Sequence, residues 1–297
     1  MQNLSRLARF SYLLPLFWGV LLYSLGVGIA HYLGNPIDYG KYTLGQIWII
    51  LILLSSMYLN QYFETSKNTR KVDIKEIPHN RSFTVSIVVL TVTASATVLL
   101  IRYGDLVPAT LLVMALAFLG AFFYATRETI ELTNHPIKLS SSPYGELINA
   151  ILLSNLVPAL AFTLQTDELH RMLAMSTFPL TPLYLALAIS SEFPHYGNDL
   201  IIKKQTLLTR LGWENGMRLH NMLIITAFLL LALAVVFGMP FRNALPAFFV
   251  IPLGFFQIWY LGHITSGASP NWIALTVLGV LLYGIPAYLL SFTFWIR

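Results

Sequence analysis

The chain is a succession of apolar stretches long enough to cross a bilayer, with only two long polar breaks among them. A spanning helix needs about 20 mainly apolar residues. Nine stretches qualify: Phe10–Tyr32, Tyr42–Phe63, Phe83–Arg102, Val107–Ala125, Leu147–Thr166, Leu173–Ser191, Leu219–Gly238, Ala244–His263 and Trp272–Trp295. Charged residues make up 10% of the 297 and hydrophobic residues 56%, whereas a soluble domain carries roughly 25% charged residues. A water-soluble fold could not hide this much apolar surface. The expected class is an all-α, multi-pass integral membrane protein of nine transmembrane helices, forming a single domain over residues 1–297 and embedded in a lipid bilayer. Prolines inside the spans (Pro15, Pro158, Pro179, Pro182, Pro252, Pro286) predict kinks, which membrane helices tolerate when neighbours satisfy the freed backbone groups. Arg6 and Arg9 precede the first stretch, and no small-residue cleavage site follows it. It therefore reads as a first membrane helix and not as a cleaved signal peptide. The absence of cysteine excludes disulfides, thiolate metal sites and cysteine nucleophiles.

Basic residues set the expected orientation. With the N-terminus in the cytoplasm, 13 of the 18 Lys and Arg residues fall on the cytoplasmic side. The positive-inside bias thus favours a cytoplasmic N-terminus and a C-terminus on the opposite side. Both polar segments, 60–81 and 191–218, then lie at the cytoplasmic face. No nucleic-acid partner is expected.

The second polar segment carries Glu192, His195 and Asp199 at spacings i, i+3 and i+7, followed by Lys203, Lys204, Arg210 and Arg218. That spacing places the first three on one helical face. The first segment carries Asn60, Glu64 and Asn68 at i, i+4 and i+8, with Lys67 and Arg70 beside them. Mg²⁺ takes oxygen ligands, commonly one or two carboxylates plus substrate phosphates. Glu64, Glu192 and Asp199 are the candidate carboxylates, and Asn60 and Asn68 can add amide oxygens. Lys67, Arg70, Lys203, Lys204 and Arg210 can neutralise a diphosphate. The departing diphosphate would leave an allylic cation, which aromatic walls can shelter through cation–π contacts.

These residues resemble the motifs of the UbiA superfamily of intramembrane prenyltransferases, most closely its menaquinone-type branch. Asn60-Gln61-Tyr62-Phe63-Glu64 is similar to the family's Asn-Asp-Tyr-Phe-Asp after helix two. Glu192-Phe193-Pro194-His195 with Asp199 is similar to its Asp-Phe-Pro-Asp with a following Asp after helix six. Lys204-Gln205-Thr206-Leu207, Arg210-Leu211-Gly212, Pro136-Ile137-Lys138-Leu139 and Gly145-Glu146 match further short runs. The resemblance implies nine helices around a central lipophilic cavity and a Mg²⁺-dependent catalytic site at Glu64, Glu192 and Asp199. It also implies transfer of an isoprenoid from a prenyl diphosphate to an aromatic or cyclic lipophilic acceptor of quinone or pigment type. The chain departs from the family pattern at Gln61, Glu64, Asn68, Glu192 and His195, where the family has Asp.

Two other readings stay open on the residues. One is a divergent relative that binds a lipid, quinone or pigment without catalysis. The other is a transporter, against which the clustering of polar groups at one membrane edge counts. His195 is either a metal ligand or a neutral hydrogen-bonding group. Asn149, Asn155, His220 and Gln257 lie inside spans and are expected to bond helix to helix. Tyr62, Tyr124 and Tyr184 are candidate cavity-wall residues. Trp272 and Trp295 read as interfacial belt residues.

Overall fold

The computed structural model describes residues 2–69, 79–104, 106–125, 144–201 and 206–296, with side chains described over 14–60, 84–104, 106–122, 145–201 and 206–296. Every regular element among the described residues is helical. In chain order these are α1 (Gln2–Tyr32), α2 (Tyr39–Thr69), α3 (His79–Gly104), α4 (Pro108–Ala125), α5 (Tyr144–Ile151), a π-helical turn (Leu152–Leu156), α6 (Val157–Thr166), α7 (Arg171–Thr177), α8 (Leu180–Glu192), a 3₁₀ turn (Phe193–His195), α9 (Tyr196–Ile201), α10 (Leu207–Leu211), α11 (Trp213–Val236), α12 (Phe241–Phe248), α13 (Ile251–Thr265) and α14 (Trp272–Trp295).

Eight helical stretches among the described residues are long and apolar enough to cross a membrane, and a shorter apolar helix, Pro108–Phe122, accompanies them. Their positions follow the nine expected stretches. Prolines and polar caps set the joints. Asp38 Oδ1 accepts from Gly40 and Lys41 N–H at 2.8 and 3.0 Å and starts α2. Asn271 Oδ1 accepts from Ala274 N–H at 3.1 Å and starts α14. Each satisfies donors that a helix N-terminus leaves open.

Three spans are interrupted where proline falls. Pro158 near the start of α6 has no N–H for the carbonyl four residues back, and its ring would crowd that carbonyl. The wide π turn just before it accommodates both problems. The sixth span divides into α7 and α8 around Phe178–Pro179, and the eighth into α12 and α13 ahead of Pro252.

α1 is the central helix and packs against α2, α6 and α14, with Leu22, Tyr23, Leu25 and Ile29 fully buried. The opposite surfaces present Val88, Leu112, Phe255 and Phe256 outward, as a lipid-facing surface requires. Polar bonds tie helix to helix within the bundle: Trp48 Nε1–H donates to Thr97 Oγ1 at 2.8 Å, and Ser56 Oγ–H donates to the Ala121 carbonyl at 2.8 Å.

The long-range contacts sort the connections into two ends. At one end, Asp38 N–H donates to Gln165 Oε1 at 2.8 Å, joining the α1–α2 connection to the end of α6. There too Trp295 Nε1–H donates to the Ser24 carbonyl at 2.9 Å, and its ring lies against His31. At the other end, Leu14 and Pro15 of α1, Glu146 of α5, Glu192 of α8 and Thr276 of α14 line one cavity. This alternation is what an odd number of crossings produces.

Candidate functional site

A cavity of about 240 Å³ opens at that second end, walled by α1, α5, α8 and α14. On α8 its lining runs from Glu192 to Tyr184. The eight steps between them correspond to about 12 Å of depth at 1.5 Å per residue. The shallow part carries the carboxyl groups of Glu146 and Glu192, and the deep part carries Tyr184 and Trp18. Behind the wall the aromatic rings interlock. Trp18 and Tyr283 meet edge to face with centroids 5.0 Å apart, and Tyr184 and Tyr283 do so at 5.2 Å. Ser154, turned inward by the π turn, shares a 3.1 Å hydrogen bond with Tyr283. Asn149 Nδ2–H donates to the Tyr184 hydroxyl at 2.5 Å and so ties α5 to α8 inside the cavity.

Glu192 is the last residue of α8. Its Oε2 accepts from Leu208 N–H at 3.1 Å, closing one of the open donors at the start of α10. Thr206 and Thr209 complete that cap reciprocally: Thr206 Oγ1 accepts from Thr209 N–H at 3.2 Å, and Thr209 Oγ1 accepts from Thr206 N–H at 2.8 Å. Gly212, at φ +79°, turns the chain from α10 into α11, a conformation glycine adopts without side-chain strain. Phe193 and Leu208 sink into a small separate core with Ile189, Leu261 and Leu275. The second polar segment is therefore held from below by apolar packing and from the side by Glu192.

The structure distributes the three residues at 192, 195 and 199 differently from one continuous helical face. Pro194 falls in a 3₁₀ turn over Phe193–His195, and a new helix starts at Tyr196. Three residues per turn shift the angular register relative to an α-helix. Glu192 lines the cavity, His195 is exposed, and Asp199 is buried in α9. Arg210 is exposed on α10. Asn60 is half-buried on α2, which stays helical through Thr69. The side chains of Tyr62, Glu64, Lys67, Asn68 and Tyr124, and residues Arg70, Lys203 and Lys204 altogether, lie outside the described residues.

The intramembrane polar residues bond helix to helix as expected. Asn155 Nδ2–H donates to Thr181 Oγ1 at 2.6 Å, and Gln257 pairs with His220 at 3.1 Å. Glu146 was not legible as a site residue. Its signals were the Gly145-Glu146 run and an acidic side chain at the start of an apolar span, where charge is costly and commonly functional. Yet Glu146 of α5 and Glu192 of α8 line the same cavity. Among the described residues no three His, Asp or Glu side chains cluster as a metal site. Glu146, Glu192 and Asn149 all line the cavity, and each carries side-chain oxygen of the kind that a hard cation such as Mg²⁺ takes.

The sequence model of the UbiA prenyltransferase family matches residues 12–277. The chain belongs to the UbiA prenyltransferase family. Among solved structures, a UbiA homolog from Archaeoglobus fulgidus bound to DMAPP and Mg²⁺ aligns at TM-score 0.58 and 15% identity, over 94% of this chain and 99% of that one. The same homolog bound to Cd²⁺ aligns at TM-score 0.59 and 16% identity, over 94% and 99%. A digeranylgeranylglyceryl phosphate synthase aligns at TM-score 0.61 and 15% identity, over 100% and 98%. No curated protein matches the chain in sequence. At these identities the structures show a shared UbiA fold, and the match extends along nearly the whole chain.

Proposed function

We propose that this UbiA-family chain is a Mg²⁺-dependent intramembrane prenyltransferase. It moves an isoprenoid from its diphosphate to an aromatic or cyclic lipophilic acceptor of quinone or pigment type. The observation that carries the reading is the cavity, which is carboxyl-bearing at one end and aromatic at the other. A prenyl diphosphate has the same two ends.

The diphosphate sits at the mouth, gripped by Lys67, Arg70, Lys203, Lys204 and Arg210. Glu64, Glu192 and Asp199, assisted by Asn60 and Asn68, hold the cation. A bound Mg²⁺ supplies positive charge to the leaving oxygens. The allylic C–O bond breaks with its electron pair leaving on the diphosphate. Trp18 and Tyr184 shield the cationic carbon from water and offer it their ring faces. The acceptor forms the new carbon–carbon or carbon–oxygen bond and gives up a proton. The excess of basic residues around the two motifs supports a cytoplasmic mouth, with the C-terminus on the opposite side.

The test is binding of a non-hydrolysable prenyl diphosphate to the purified chain in nanodiscs, with and without Mg²⁺. Binding that needs Mg²⁺ and is lost in Asp199→Ala and Glu64→Ala supports the site. A folded, monodisperse chain that binds none at any Mg²⁺ concentration overturns it, and a co-purifying lipid would then favour a non-catalytic lipid-binding relative.

A further inference from the structure

Opposite its carboxyl end the cavity has a floor. The lining runs along α1 from Leu14 and Pro15 to Trp18, along α14 from Thr276 to Val280, and along α8 from Glu192 to Tyr184. Leu22 and Ala287, one helical turn beyond Trp18 and Tyr283, are fully buried, so the open space ends above them. The floor is a group of rings from three helices: Trp18 of α1, Tyr184 of α8 and Tyr283 of α14. Trp18 and Tyr184 each meet Tyr283 edge to face.

The indole of Trp18 sits in a socket. It is 4% exposed although it borders an open cavity. Its six-membered ring rests on Gly284, where a Cβ would stand 2.5 Å from Trp18 Cη2 and 3.0 Å from Cζ3. The nearest neighbours of that Cβ are all atoms of Trp18, so the missing side chain at Gly284 makes room for this ring. Tyr283, the next residue on α14, backs the same indole and is tied to Ser154. Tyr184 is tied to Asn149 in turn. Rings with few rotatable bonds, each held by a neighbour, give a floor that a longer occupant cannot push aside as it could a flexible aliphatic wall.

Length and volume agree on what fits above that floor. Glu192 and Tyr184 are about 12 Å apart along α8. A fully extended backbone advances about 3.5 Å for the three bonds of a residue, so the four main-chain bonds of an isoprene unit span about 5 Å, and about two units fill the depth. An apolar cavity of about 150 Å³ admits benzene. On that scale a cavity of about 240 Å³ takes roughly ten carbons, again about two isoprene units. We infer that Trp18, seated on Gly284 and backed by Tyr283, sets the length of the donor and limits this chain to isoprenoid diphosphates of about one or two units. The inference deepens the prenyltransferase reading and rests on it for the diphosphate.

The experiment uses the purified full chain in nanodiscs with Mg²⁺. Thiolodiphosphate analogues of one to four isoprene units, in which sulfur replaces the bridging oxygen, compete with a labelled one-unit analogue. Longer chains partition into nanodisc lipid equally for every variant. The readout is therefore the ratio of four-unit to two-unit affinity, compared between variants. This ratio is independent of the fraction of chain that folds, so a merely structural role for Trp18 would not move it. Trp18→Ala should raise the ratio by about tenfold or more over the wild type, because the space of the indole becomes available. Trp18→Phe, which keeps a ring against Tyr283, should fall between the two, and it decides the matter where Trp18→Ala does not fold. Gly284→Ala should act in the opposite sense. Its methyl displaces the indole toward the cavity, the open space that it borders, and favours the one-unit analogue over the two-unit one. A wild-type ratio in Trp18→Ala, or in Trp18→Phe where that is the variant that folds, overturns the inference. The prenyltransferase reading then stands on the displacement itself. A folded wild type that binds none of the analogues overturns both.

Discussion

At the scale of single residues, Glu192 carries more than one load. It faces the cavity and accepts the Leu208 N–H. Glu192→Gln keeps an oxygen for that N–H and should unfold close to the wild-type temperature, while losing Mg²⁺-dependent diphosphate binding. Glu192→Ala loses the cap as well, at a cost of about 1 kcal/mol. Thermal unfolding beside diphosphate binding separates the two roles, and equal stability of both variants would remove the cap from the account. Asn155 is a contrasting case. Its Nδ2–H bonds Thr181, but its carbonyl is buried without a partner among the described residues. Intramembrane hydrogen bonds average roughly 0.6 kcal/mol. Asn155→Leu should therefore be nearly neutral, because it relieves the lone carbonyl as it deletes the bond. A large loss of stability would show that Asn155 does more than tie α6's π turn to α8.

At the scale of elements, the approach of α1 to α6 depends on Gly26. A Cβ there would stand 2.1 Å from the Pro158 carbonyl oxygen and 2.8 Å from Ala161 Cβ. Backbone cannot yield as a flexible side chain can. Gly26→Ala should force α1 off α6 and lower stability by about 1–3 kcal/mol, read as a drop in unfolding temperature. Gly197 in α9 is the control. A Cβ there meets nothing within 4 Å, so Gly197→Ala should leave the unfolding temperature unchanged or raise it, as alanine favours helix by up to about 1 kcal/mol over glycine. The interrupted spans belong to the same scale. The π turn before Pro158 rotates Ser154 toward Tyr283, and the 3₁₀ turn at Pro194 separates Glu192 from Asp199.

At the scale of the whole molecule, the two ends of the bundle face different compartments. The chain has no cysteine, so single cysteines report cleanly. Ser266, between α13 and α14, and Glu168, between α6 and α7, are both exposed and lie in connections of opposite parity. With the proposed orientation, Ser266→Cys reacts with a membrane-impermeant maleimide from the cytoplasmic side and Glu168→Cys from the other. Labelling of both from one side would mean that a crossing has been miscounted, and the reversed pattern would invert the molecule.

The sequence by itself determined the class, the approximate placement of the spans and the family. Each depends on local composition and short motifs: about 20 apolar residues identify a span wherever they occur, and Asn60–Glu64 and Glu192–Asp199 are contiguous runs. It also located Glu192 and the helix-bonding roles of Asn149, Asn155, His220 and Gln257. Tertiary structure alone decided that Glu146, on a different helix, lines the same cavity as Glu192, and that Asn149 lines it too, tied to Tyr184. It also decided that a 3₁₀ turn breaks the helix between Glu192 and Asp199 and that Asp199 is buried. Helical spacing predicts a common face only while the helix is unbroken, and contact between distant helices follows from packing, which no local pattern encodes.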